Sequence, residues 1–115
     1  SWGFLRKRER DFIEQNCSAT PHDKPRILVS HYPMIEEHPI LRIRHRLFGQ
    51  KEILKLMDSK QLDLVLCGHV HKPGLKVDFD GRGECCSGSV TMNGSVVEIE
   101  FLKESDKFNY TTISL

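Results

Sequence analysis

Two uninterrupted apolar runs stand out along the chain: Ile27-Leu28-Val29 within "RILVSHYP" and Leu64 to Cys67 within "LDLVLCG". Runs of this length without polar alternation suit strands covered on both faces, as parallel strands are. Between them Ile53, Leu54, Leu56 and Met57 recur at helical spacing from Gln50 to Lys60, and Asp58 to Gln61 closes that helix without a glycine. Strand, helix and strand over about 40 residues make a βαβ unit, with parallel strands and a right-handed crossover. Upstream, residues 2 to 16 place Trp2, Leu5, Phe12 and Ile13 on roughly one face and charged residues on the others, which predicts an amphipathic helix. The turn-rich "SATPHDKP" then forms a loop. Residues 32 to 48 read as irregular. Downstream, "GLKVDFDGRGECCSGSV" reads as a hairpin around Asp80-Gly81 and Gly83, and "SVVEIEFL" and "FNYTTISL" add two alternating strands. The expected class is α/β: a βαβ unit followed by an antiparallel meander.

Composition narrows this picture. With 115 residues and 38% hydrophobic content, the chain can build one modest core. Lysine plus arginine number 17 against 16 acids, a formal charge of +1, so there is no strong nucleic-acid signal and no global attraction to anionic lipid. The apolar runs fall far short of the roughly 20 residues of a transmembrane segment, and "SWGFLRKRER" lacks the apolar region of a secretory signal. Four cysteines, two of them adjacent, do not form the spacing of a disulfide framework. Reduced, mostly buried thiols in a cytoplasmic protein are expected, with Cys67 packing as a small hydrophobe and Cys85 and Cys86 on alternate faces of a strand.

The second apolar run ends in Gly68-His69-Val70-His71, and the first ends at His31. If the two strands are parallel, all three histidines lie at the same carboxyl edge of one sheet. In an extended segment His69 and His71 point to the same side, Gly68 frees the backbone to turn, and Pro73 stops further pairing. Three neutral imidazoles at one edge are a candidate metal site, and affinity is expected to fall as the pH drops through about 6.5. A two-metal centre also wants bridging carboxylates. Nearby acids are confined to Glu36 and Glu37 on the irregular stretch and to Asp63 at the far end of its strand. Either the site holds one metal, or its acids lie on residues outside this chain. Arg42, Arg44, His45 and Arg46 form a basic cluster able to contact phosphate oxygens, or else a solvated loop.

The segments "ILVSHYP" and "LVLCGHVHKP", with a helix between them, resemble the carboxyl-terminal half of the calcineurin-like metallophosphoesterase superfamily. His31 and the Gly-His-x-His stretch carry the specificity of that resemblance. It implies a partial β-sandwich flanked by helices and two divalent metal ions, manganese, iron or zinc. His31 and His69 would hold one metal and His71 the other. The activity implied is hydrolysis of a phosphate ester by a hydroxide activated at the binuclear centre. A phosphodiester is favoured because the His-Tyr-Pro and Gly-His-Val-His segments resemble the phosphodiesterase branch. The family's earlier Asp-x-His, Gly-Asp and Gly-Asn-His motifs have no counterpart here. Residues 1–115 are therefore expected to be the carboxyl-terminal portion of a single domain, with the catalytic residues in the amino-terminal half. Alone, such a portion is expected to turn over little substrate, to hold metal weakly and to self-associate through exposed apolar surface. Two other readings stand beside this one: a non-catalytic scaffold of the same fold, and a mononuclear three-histidine zinc protein.

Overall fold

Local capping chemistry sets where each patterned stretch becomes an element. In the computed structural model the described residues are 3–21, 23–31, 47–48, 50–68, 74–88 and 93–115. The chain opens with a two-residue strand, β1 (Gly3–Phe4), and helix α1 (Lys7–Ala19). Strand β2 (Ile27–Ser30), the short β3 (Leu47–Phe48) and helix α2 (Gln50–Asp58) follow. Then come β4 (Leu64–Cys67), β5 (Gly74–Val77), β6 (Gly83–Cys86), β7 (Ser95–Leu102) and β8 (Lys107–Ser114).

The first helix is displaced from its expected span of 2 to 16. Gly3 and Phe4 pair in parallel with Leu47 and Phe48, which takes the start of the chain out of the helix. The Glu9 carboxylate then accepts the Arg6 backbone N–H at 2.9 Å, placing a negative charge at the positive end of α1. Its inward face is also different. Leu5 and Ile13 pack on the core and Cys17 is buried in it, whereas Phe12 is 67% exposed. Trp2 lies outside the described residues. Helix α2 closes as expected without glycine: Lys60 adopts a left-handed φ of 62°, and the amides of Gln61 and Leu62 both donate to the Leu56 carbonyl.

Four strands form one sheet in the order β2-β4-β6-β5. β2 and β4 are parallel, as the βαβ pattern predicts, with Ile27 opposite Leu64 and Ser30 opposite Cys67. The last third departs from a simple meander. β6 pairs antiparallel with β5 and also parallel with β4, while β7 and β8 form a separate hairpin. The reason is burial: all four residues of "GECC" are buried, which suits an interior strand, whereas the turn chemistry of Asp80-Gly81 revealed only its hairpin partner.

Side chains alternate between two cores. Val65 packs with Ile53, Leu56, Leu62 and Cys17 under the helices, and Leu64 packs with Cys85 and Phe108 under the β7–β8 hairpin. Sheet, helices and hairpin thus form the layers of a partial sandwich. β2 is covered less than its unbroken apolar run predicts. Leu28 packs towards the helices, but Ile27 and Val29 are 46% and 76% exposed, because the hairpin packs on β4 and β6 and stops short of β2.

A buried carboxylate holds the amino ends of the three parallel strands together. Asp63, just before β4, accepts the Arg26 backbone N–H at 2.8 Å and pairs with the guanidinium groups of Arg26 and Arg82. Its own carbonyl accepts the Gly83 N–H at 3.1 Å. Arg82 also reaches Asp106 at the β7–β8 turn, at 2.9 Å to the carbonyl and 3.0 Å to the carboxylate. Tyr110 donates its hydroxyl to the Gly81 carbonyl, and the Phe108 amide donates to Asp80. Sheet and β7–β8 hairpin are therefore fastened together at the end opposite the carboxyl edge that carries His31.

Candidate metal centre at the carboxyl edge of the sheet

Parallel pairing determines what meets at the other end. Ser30 lies opposite Cys67, so the next residue on each strand, His31 and Gly68, comes side by side. The Gly68 amide donates to the His31 carbonyl at 3.3 Å, extending the ladder one step beyond the strands. His31 is exposed at this edge. The glycine that opens Gly-His-Val-His is thus fixed against the backbone of the first histidine, as the βαβ reading requires. His69 and His71 lie outside the described residues, as do Arg42, Arg44, His45, Arg46, Glu36 and Glu37. Asp63 is at the opposite end, engaged by two arginines, and supplies no ligand at this edge.

Among the described residues His31 belongs to no cluster of three metal-ligating side chains. An exposed imidazole at a strand end suits a divalent cation, and the donors that would complete its shell must come from other residues.

Just beneath this edge the cysteines depart from expectation. Cys67 and Cys86 are joined as a disulfide, while Cys17 and Cys85 remain buried thiols. The two bonded residues are 19 apart in sequence but stand opposite one another on β4 and β6, with their Cα atoms 4.9 Å apart. Such a separation permits a disulfide. Sequence spacing concealed it because the parallel pairing of β4 with β6 was not legible. Burial pushes the Cys17 thiol up, more than neighbouring Arg26 pulls it down, and burial together with Glu84 pushes Cys85 up. Neither is an activated nucleophile.

Fold and edge together define an α/β protein that exposes His31 at the carboxyl end of one parallel strand, beside the Gly68 that ends its neighbour. The sequence profile of the family described as Calcineurin-like phosphoesterase matches residues 2–73, and the chain belongs to that family, whose members are typically metal-dependent hydrolases of phosphate esters. The matched span runs from β1 to the end of "GHVHKP"; the two hairpins lie beyond it. Among curated proteins none matches the chain.

Proposed function

We propose that this chain is the carboxyl-terminal portion of a single metallophosphoesterase domain that hydrolyses a phosphodiester. In this reading His31 and His69 hold one divalent cation, manganese, iron or zinc, and His71 holds a second. The juxtaposition of His31 with Gly68 at the carboxyl ends of β2 and β4 carries the proposal, since it starts the Gly-His-Val-His stretch beside the third histidine. When bound, such cations supply Lewis-acid charge and a water of lowered pKa. The chain's own residues hold and orient: neutral imidazoles ligate, and Gly68 leaves the turn free of a side chain. Arg42, Arg44, His45 and Arg46 contact the phosphate oxygens, for which guanidinium forks are suited.

The amino-terminal half of the domain would contribute the bridging carboxylates and the remaining catalytic residues. The uncovered face of β2 supports this. Ile27 and Val29 are exposed, and a groove of about 480 Å³ runs between α1 and β2 past Leu5, Phe12 and Leu28 to Ser30. Without that half the 115 residues self-associate through this surface. Among the described residues no helix is long and apolar enough to cross a membrane. The reading places the protein in the cytoplasm, where Cys17 and Cys85 persist as thiols and the Cys67–Cys86 bond is open to reduction.

The experiment compares a diester and a monoester substrate on the full-length protein with manganese added. Faster diester hydrolysis that is abolished by chelation supports the proposal. A metal-loaded protein inactive on both substrates would instead be a scaffold.

A further inference from the structure

On the sheet face opposite the β7–β8 hairpin, two sulfurs and a carboxylate converge. Val65 and Cys67 of β4 stand opposite Glu84 and Cys86 of β6, and the two-residue period of a strand points all four side chains to one side. The Cys67 and Cys86 sulfurs and a Glu84 carboxylate oxygen lie within 4.8 Å of one another. The three residues are 6%, 9% and 3% exposed. Opening the disulfide would leave two thiols beside this carboxylate.

We propose that, once reduced, Cys67, Cys86 and Glu84 form a site for a thiophilic divalent cation, with zinc best matched by the donor set. Thiolate and carboxylate are both zinc donors, and three of them leave the fourth tetrahedral position to water. A dithiol reductant gives two electrons and two protons to the Cys67–Cys86 bond and itself becomes a disulfide. The cation then displaces both thiol protons to solvent, forming two metal–sulfur bonds and one metal–oxygen bond. Disulfide and metal are mutually exclusive, so reoxidation by a small disulfide expels the ion. The site draws its donors from thiolates and a carboxylate, whereas the centre proposed above draws on imidazoles. Cys85 packs on the hairpin side, and the thiols of Cys17 and Cys85 are not part of the cluster.

Cobalt(II) distinguishes this site from the histidine centre, because only thiolate ligation gives a near-ultraviolet sulfur-to-cobalt charge-transfer band. The intact protein, reduced with a dithiol and freed of it, is expected to develop the band to saturation at one equivalent and to lose it when zinc is added. The oxidised protein should show no band. Cys86→Ser should abolish it, and Cys85→Ser should leave it unchanged. Glu84→Gln, which keeps both sulfurs, should retain the band and weaken cobalt binding by about tenfold or more. His31→Ala should leave the band intact, so that failure of the histidine centre and failure of this site read out separately. The proposal is overturned if the reduced protein gives no band, if the band survives Cys86→Ser, or if it depends on His31. The comparison of oxidised with reduced protein needs no variant and stands even if Cys86→Ser does not fold.

Discussion

Asp63 is the residue on which the amino end of the sheet depends. Its carboxylate is buried between the guanidinium groups of Arg26 and Arg82, so removing the negative charge takes the ion-pair partner from largely buried Arg26 and leaves Arg82 only Asp106 and Asp80. Asp63→Asn is expected to lower the unfolding free energy by about 3 kcal/mol, read as a lower urea midpoint with an unchanged slope. The sequence showed Asp63 to be far from the histidines, but its two arginine partners are 37 and 19 residues away and emerge only from strand order. Tyr110 gives a second test, in alkali. Burial, reinforced by Cys85 and Asp78, pushes its phenol up to about 12, so the fold favours the neutral form. Its stabilising contribution is complete below the usual value of 10 and is lost as the pH rises through about 12. Cys85, raised from 9.0, adds a loss that begins at lower pH. Stability should therefore fall from about pH 9 upwards. Between pH 10 and 12 the fall should be shallower in Tyr110→Phe, as followed by denaturant titration across pH.

Elements with a clear period were the most legible. α2 and the β2–β4 pair follow from helical spacing between two apolar runs, and they place His31 beside Gly68. β6 was harder, because its hairpin turn advertises β5 while nothing local advertises β4; the Cys67–Cys86 bond was lost with that pairing. The hairpin turn itself is tightly constrained. Gly81 has a φ of +78°, and a Cβ there would run into the Phe108 backbone carbonyl. Gly81→Ala is expected to destabilise the protein by more than about 1 kcal/mol and to loosen the β7–β8 hairpin. Hydrogen exchange should show the loss of protection at the Phe108 amide, which donates to Asp80 within the same turn.

At the scale of the molecule, one end of the sheet is bound by charge and the other presents histidine. Ile27 and Val29 leave the β2 edge apolar and open, a surface through which strands and sheets associate. The 115-residue chain is predicted to self-associate with rising concentration in sedimentation experiments, and Val29→Lys to shift it towards monomer. Family membership follows from the matched span, whereas the chemistry proposed for the edge depends on His31, His69 and His71 acting together. The most direct test is the metal content of the full-length protein, with phosphodiester hydrolysis measured alongside, before and after His69→Ala. Loss of a first ligand should cost at least the ten- to hundredfold, roughly, that supporting contacts cost, so both quantities should fall. Unchanged metal content together with unchanged hydrolysis would contradict the assignment of Gly-His-Val-His as a metal-holding edge.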